Sequence, residues 1–298
     1  MDKYTRGDCP PRKVPDRDGN QEAAAVYGRV QSESGAGEPA KGDDMRLSKK
    51  QERFLSQLEE LWNFFDARLK NYSLKTSDLR LGLLLTLTVA AHRLIRGFLA
   101  QLRGGSNDNL QSKLRTLTEA LINVNYILSD DTDIRAKAFV LDSMRSRKTA
   151  LYRIIGLLER EKAPSMAAVN TIENYRIMVS NLEQELLKQQ NLLGKENASW
   201  PPIEQRAAKG NSEELYATVF GYFSQDNHMT VDSLDRFLKE VSSGIAFTTE
   251  LDLSSLDQEI QTAFAYHLIF INICSEKLGF PTEEELKEFN NSEMLSKE

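Results

Sequence analysis

From Leu47 to Ala163 the chain contains no proline, and its only glycines there are Gly82, Gly97, Gly104, Gly105 and Gly156. Proline removes a helical hydrogen bond and clashes with the preceding turn. A long stretch without it, carrying apolar residues at three- and four-residue steps, therefore confines the chain to long helices. Phe54, Leu55, Leu58, Leu61, Trp62, Phe65 and Leu69 supply the first of these, with Ser48 as its N-cap. A second is expected after Thr76 or Ser77 and stops at the Gly104-Gly105 pair. Asn107 to Asn109 starts a third that runs to Leu128. The polar run Ser129 to Asp133 ends it and caps a fourth reaching Glu159. Pro164-Ser165 opens a fifth, Met166 to Leu193, whose Glu, Gln and Lys side reads as a solvated face. Residues 194–202 form a linker, and shorter helices are expected near 212–223, 231–242, 255–278 and 282–289. The expected fold class is all-α: an antiparallel bundle of about five long helices plus a smaller C-terminal helical group.

Residues 1–46 differ in kind. They hold 6 of the 16 glycines and 4 of the 8 prolines, with almost no large aliphatic side chains. Such a segment cannot repay its ordering entropy by burial, so it reads as a disordered N-terminal tail. Residues 47–290 read as a single all-helical domain. The tail carries 8 basic and 9 acidic residues, so most of the net charge of −6 belongs to the rest of the chain. An acidic body argues against a protein that coats nucleic acid by bulk electrostatics. No apolar run near the start has the makings of a secretory signal. The run Leu79 to Leu102 is interrupted by His92, Arg93 and Arg96, which favours a buried helix over a membrane span. With only Cys9 and Cys274, a disulfide framework is not expected, and a reducing cytoplasmic setting fits.

Common chemical signatures are missing. There is no phosphate-binding glycine loop, no Cys-x-x-Cys, no His-Glu-x-x-His and no Gly-x-Ser-x-Gly, so no cofactor and no metal is expected. His267, between Tyr266 and Leu268 on an apolar helix, reads as a satisfied core histidine. His92 reads as a point where a helix face turns from core to solvent, and Cys274 as a buried small hydrophobe.

One constellation stands apart. Arg115, Glu119, Asn123 and Tyr126 share the third helix, and at about 100° per residue they fall within roughly 80° of one another. A polar stripe on an otherwise apolar helix is either an internal ion pair that fixes helix register or the wall of a ligand site. Glu119, four residues on from Arg115, is the expected partner of that arginine. A second group is Tyr216, Tyr222, Ser224 and His228; the last three lie at or just past the predicted end of a helix, where a histidine is freer to titrate or bind than in a core, or else serves as a capping or turn residue.

The run Arg115-Thr-Leu-Thr-Glu through Tyr126-Ile-Leu, then Asp133-Ile-Arg-Ala-Lys-Ala-Phe139 to Arg147-Lys148, Trp200-Pro-Pro-Ile203, and Tyr216 to His228, in that order, resembles the bacterial domain-of-unknown-function family 5677. The resemblance spans about residues 80–240. It implies a helical protein in which Arg115, Glu119, Tyr126, Tyr222, Ser224 and His228 converge on one site, and it implies no defined chemistry. Two functions compete. The first is a binding or interaction module that takes a protein or a small polar ligand between the helices, away from membranes. The second is a HEPN-like ribonuclease of bacterial defence or stress systems, an analogy of fold alone. The arginine-to-histidine spacing of four to six residues on one helix that marks such ribonucleases precedes none of His92, His228 and His267. Nucleic acid is thus the disfavoured partner, and the sequence does not decide whether the chain is an enzyme. Metal-dependent hydrolysis lacks ligand spacing.

Overall fold

The computed structural model describes residues 47–106, 109–160, 165–194, 199–220, 238–241, 244–247 and 255–295. The tail, and the segment holding Tyr222, Ser224 and His228, lie outside the described residues.

Five long helices follow one another as expected: α1 (Lys49–Leu69), α2 (Leu79–Arg103), α3 (Leu110–Leu128), α4 (Ile134–Leu158) and α5 (Met166–Leu193). Short α6 (Ile203–Lys209), a single turn α7 (Glu213–Leu215) and a π-helical turn Tyr216–Phe220 come next. The chain resumes in strands β1 (Leu238–Val241) and β2 (Gly244–Phe247), and then α8 (Leu256–Leu278) and α9 (Glu283–Asn290). Ser48 caps α1 in a reciprocal capping box with Gln51, as a Ser-x-x-Gln start should. The cap of α2 is Asp78 rather than Thr76 or Ser77, its carboxylate accepting from the backbone N–H of Arg80 at 2.9 Å.

The helix expected over 231–242 is corrected where it is described. Leu238 to Val241 is a strand, paired antiparallel with Gly244 to Phe247 from Leu238↔Phe247 to Val241↔Gly244. The β-prone Ile245 and Phe247 outweigh the weak helical period of so short a segment. This hairpin is a small addition to an all-α fold.

The helices group differently from their order along the chain. The main core joins α1, α2, α3 and α8, with Phe65, Phe98, Phe264 and Phe270 fully buried at its centre. Helix α8 is apolar on most of its circumference because it packs against α1, α2 and α3 at once, so it is a central element of the body. Helix α2 is the one described helix that is long and apolar enough to cross a membrane. Leu84, Thr88, Ala91, His92, Ile95, Phe98, Leu99 and Leu102 along it are buried against its neighbours. Helices α4 and α5 pair chiefly with each other through Leu151, Ile155, Ile172 and Val179, and again through Leu141 and Leu186.

The end of α6 is fixed by a close approach. A Cβ placed on Gly210 would stand 2.8 Å from the backbone nitrogen of Tyr126 and 3.0 Å from the carbonyl of Arg206. No side chain can yield there, so Gly210→Ala must push α6 away from α3. Urea unfolding is expected to register a loss of about 1–3 kcal/mol, the usual cost of overpacking; an unchanged midpoint would mean that α6 is not pressed against α3.

Candidate functional site

The polar stripe of α3 faces α6. Asn123 and Tyr126 are buried, and Arg115 and Glu119 are half-buried. The residue that organises them is Arg206 of α6, which the sequence reading missed. Its side chain is 8% exposed, it donates from Nη1 to Asn123 Oδ1, and Nη2 lies 3.6 Å from Glu119 Oε1. Trp200 lies beneath it, with the guanidinium carbon 5.1 Å from the ring centroid. That ring meets Tyr126 and Phe139 edge-on at 5.2 and 5.1 Å. Burial pushes Arg206 below the usual arginine range, and Glu119 opposes this, which is the signature of a charge that the fold has taken out of water and then compensated. On the far side of Tyr126, Arg135 stacks over the ring at 4.3 Å and donates to the Tyr126 carbonyl at 2.9 Å.

The expected Arg115–Glu119 pair is therefore corrected. Glu119 answers Arg206, because a buried guanidinium needs a counter-charge more than a half-buried one does. Arg115 makes no ion pair with any described residue. Its buried Nε has no acceptor among them, and its guanidinium carbon lies 5.0 Å from the centroid of Phe220. Phe220 is the last described residue before the segment that carries Tyr222, Ser224 and His228, so their relation to the stripe falls outside the described residues. Tyr216, in the same π-helical turn, stacks on Phe220 at 5.4 Å and donates its hydroxyl to Glu204 at 2.9 Å.

The model of a family of unknown function, DUF5677, matches residues 82–245, more than half of the chain, and includes every residue of this stripe together with Arg206 and Phe220. The chain belongs to that family. No curated protein and no solved structure matches it. The DUF5677 segment begins inside α2 and ends in β2, so α1 and α8, which complete the main core, stand outside the match.

A second polar cluster sits in that core, with His92 and Thr88 inside the DUF5677 segment and His267 and Cys274 outside it. His92 of α2 and His267 of α8 meet at 3.1 Å between Nδ1 and Nε2, both buried. His267 was expected to be a satisfied core histidine. It has this one partner, and its Nδ1 has none among the described residues. Cys274, two turns further along α8, has its Sγ 3.3 Å from Thr88 Oγ1, and burial pushes the thiol up to about 11, so it is protonated and inert as a nucleophile near neutral pH. Among the described residues no three of His, Cys, Asp and Glu come together as metal ligands. No spacing within α2 or α8 announces that two histidines 175 positions apart will touch.

Proposed function

We propose that this chain is a binding module of the cell interior, and that the α3 stripe with α6 takes a small polar ligand, or a protein side chain, bearing an anionic group. The observation that carries the reading is the unequal state of two arginines on one face. The buried Nε of both lacks an acceptor among the described residues, but the Nη atoms of Arg206 meet Glu119 and Asn123, whereas Arg115 presents a half-buried guanidinium with no counter-charge among those residues. A half-desolvated guanidinium binds carboxylate or phosphate more strongly than a fully hydrated one, because less water must be removed and the planar fork is already oriented. Phe220 beside its face and the Trp200–Tyr126–Phe139 group hold the surroundings rigid. On this reading Arg115 is the ligand hook, Glu119 and Asn123 are positioning residues that hold Arg206, and Tyr222, Ser224 and His228 complete the pocket.

The experiment is a thermal-shift series on the full chain with inorganic phosphate, pyrophosphate and acetate at constant ionic strength, for wild type and Arg115→Met. A ligand at a hundred times its Kd stabilises the fold by about 2.7 kcal/mol. Wild type is expected to rise with one of these anions and Arg115→Met to stay flat. Equal responses in both proteins would remove Arg115 from the site. Labelled RNA incubated with the protein, with and without divalent metal, is expected to remain intact. Cleavage lost on Arg115→Met would instead favour the ribonuclease.

A further inference from the structure

The core cluster is a chain of proton-carrying groups that leads from solvent to the middle of the bundle. An open groove of about 610 Å³ between α1 and α2 is lined by Trp62, Asp66, Lys70, Arg96 and Arg103 among others. Asp66 lies at its edge, held by Lys70 at 2.7 Å. Behind it His92 Nε2 stands 3.5 Å from Asp66 Oδ1, an electrostatic contact that makes no hydrogen bond in this geometry, and His92 Nδ1 stands 3.1 Å from His267 Nε2.

The tautomers follow from these partners. A bare nitrogen lone pair facing a carboxylate is repulsive, so His92 carries its proton on Nε2 and leaves Nδ1 bare. His267 must then donate from Nε2, which leaves its Nδ1 bare as well. That atom, on a fully buried ring, has no hydrogen-bond partner among the described residues, and neither has His92 Nε2 at the outer end of the pair. At neutral pH the chain is therefore polarised outward, each imidazole N–H directed toward Asp66. One added proton has a definite place to go. It reverses the inner link: His92 becomes an imidazolium donating to both Asp66 and His267, and His267 moves its own proton to Nδ1. The proton count balances, with one proton taken up from water by the pair.

We propose that the Asp66–His92–His267 chain is a proton-binding site that takes up one proton as a unit and reports it to the groove through Trp62. The ring of Trp62 lies parallel to His92, with 1° between planes and centroids 4.7 Å apart, and its indole N–H donates to the His92 carbonyl at 3.1 Å. A charge on His92 turns that stack into a cation–π contact and neutralises the field of Asp66 at the groove wall. The groups that face the pair are Asp66 and, through it, Lys70 on α1, and Arg96 on α2, which disfavours the charge. On α8, Cys274 is a neutral thiol. Phe65 contributes an uncharged ring edge-on to both histidines. Burial lowers both histidines below the usual value, so uptake falls below pH 6.5.

The test uses the full chain in a Trp200→Phe background, which leaves Trp62 as the sole tryptophan. Three signals are followed from pH 7.5 to 4.5: Trp62 fluorescence, ring-nitrogen NMR of the histidines, and helical circular dichroism. Both rings are expected as Nε2–H tautomers at neutral pH and to change together in one step below pH 6.5, with Trp62 quenched in that step and helicity retained. Asp66→Asn removes the charge that favours the imidazolium, and should shift the step to lower pH, reducing proton affinity about tenfold or more. Independent titration of the two rings, an Nδ1–H tautomer on His92, or a Trp62 change that coincides with loss of helix would each overturn the proposal.

Discussion

Phe65→Ala is expected to cost about 3–5 kcal/mol, the range for deleting a large aromatic from a core that cannot collapse around the hole. Phe65 has no exposed surface. Its ring is edge-on to His92 at 5.4 Å and to His267 at 6.0 Å, and tilted against Phe280 at 6.1 Å. It is thus the apolar side of the histidine chain, joining α1, α2, α8 and the turn after α8. Removing it opens a cavity and lets water reach two imidazoles whose contact depends on exclusion of water. Urea unfolding at pH 7.5 reads the loss as a lowered midpoint with an unchanged slope. A cost below about 1 kcal/mol would mean that α1 is not part of the core.

Arg206→Met is expected to cost about 2–3 kcal/mol, and Glu119→Gln less than about 1. Methionine keeps the length and the contact with Trp200 but strands Asn123 Oδ1 in a buried position, and an unmade hydrogen bond to a buried acceptor costs about 1–3 kcal/mol. Breaking a fully buried ion pair would cost more, but the Glu119 side chain is 45% exposed and regains water when Arg206 is lost. For the same reason Glu119→Gln is mild, since the pair is half in solvent and the amide still offers Arg206 an acceptor. Chemical unfolding of the two variants separates these cases. Equal costs would mean that Arg206 is held by charge alone.

The long helices were legible because their signals are local. Ser48 with Gln51, the Gly104-Gly105 stop and the apolar period of α1 each act within a turn or two. The grouping was not legible. Residues 255–278 come last among the long segments, yet α8 lies against α1, α2 and α3, and nothing in an apolar helix names its neighbours. The short strands escaped because four residues carry too little period to oppose a helical guess. The stripe of α3 was visible as a pattern, since helical geometry alone puts 115, 119, 123 and 126 on one side. Its partner was not, because Arg206 reaches Asn123 across 83 positions by way of a contact that only Gly210 permits. The same limit hid the histidine chain, in which each residue looks ordinary within its own helix.

Two arginines on one face divide the labour of the α3–α6 contact, and the unfolding free energies of Arg115→Met and Arg206→Met, measured side by side at pH 7.5, read that division out. Arg206→Met should lose about 2–3 kcal/mol while Arg115→Met stays within about 0.5 of wild type, since the scaffold uses the first charge and not the second. A loss on Arg115→Met as large as that on Arg206→Met would make Arg115 another charge that the fold needs and remove it as a ligand hook.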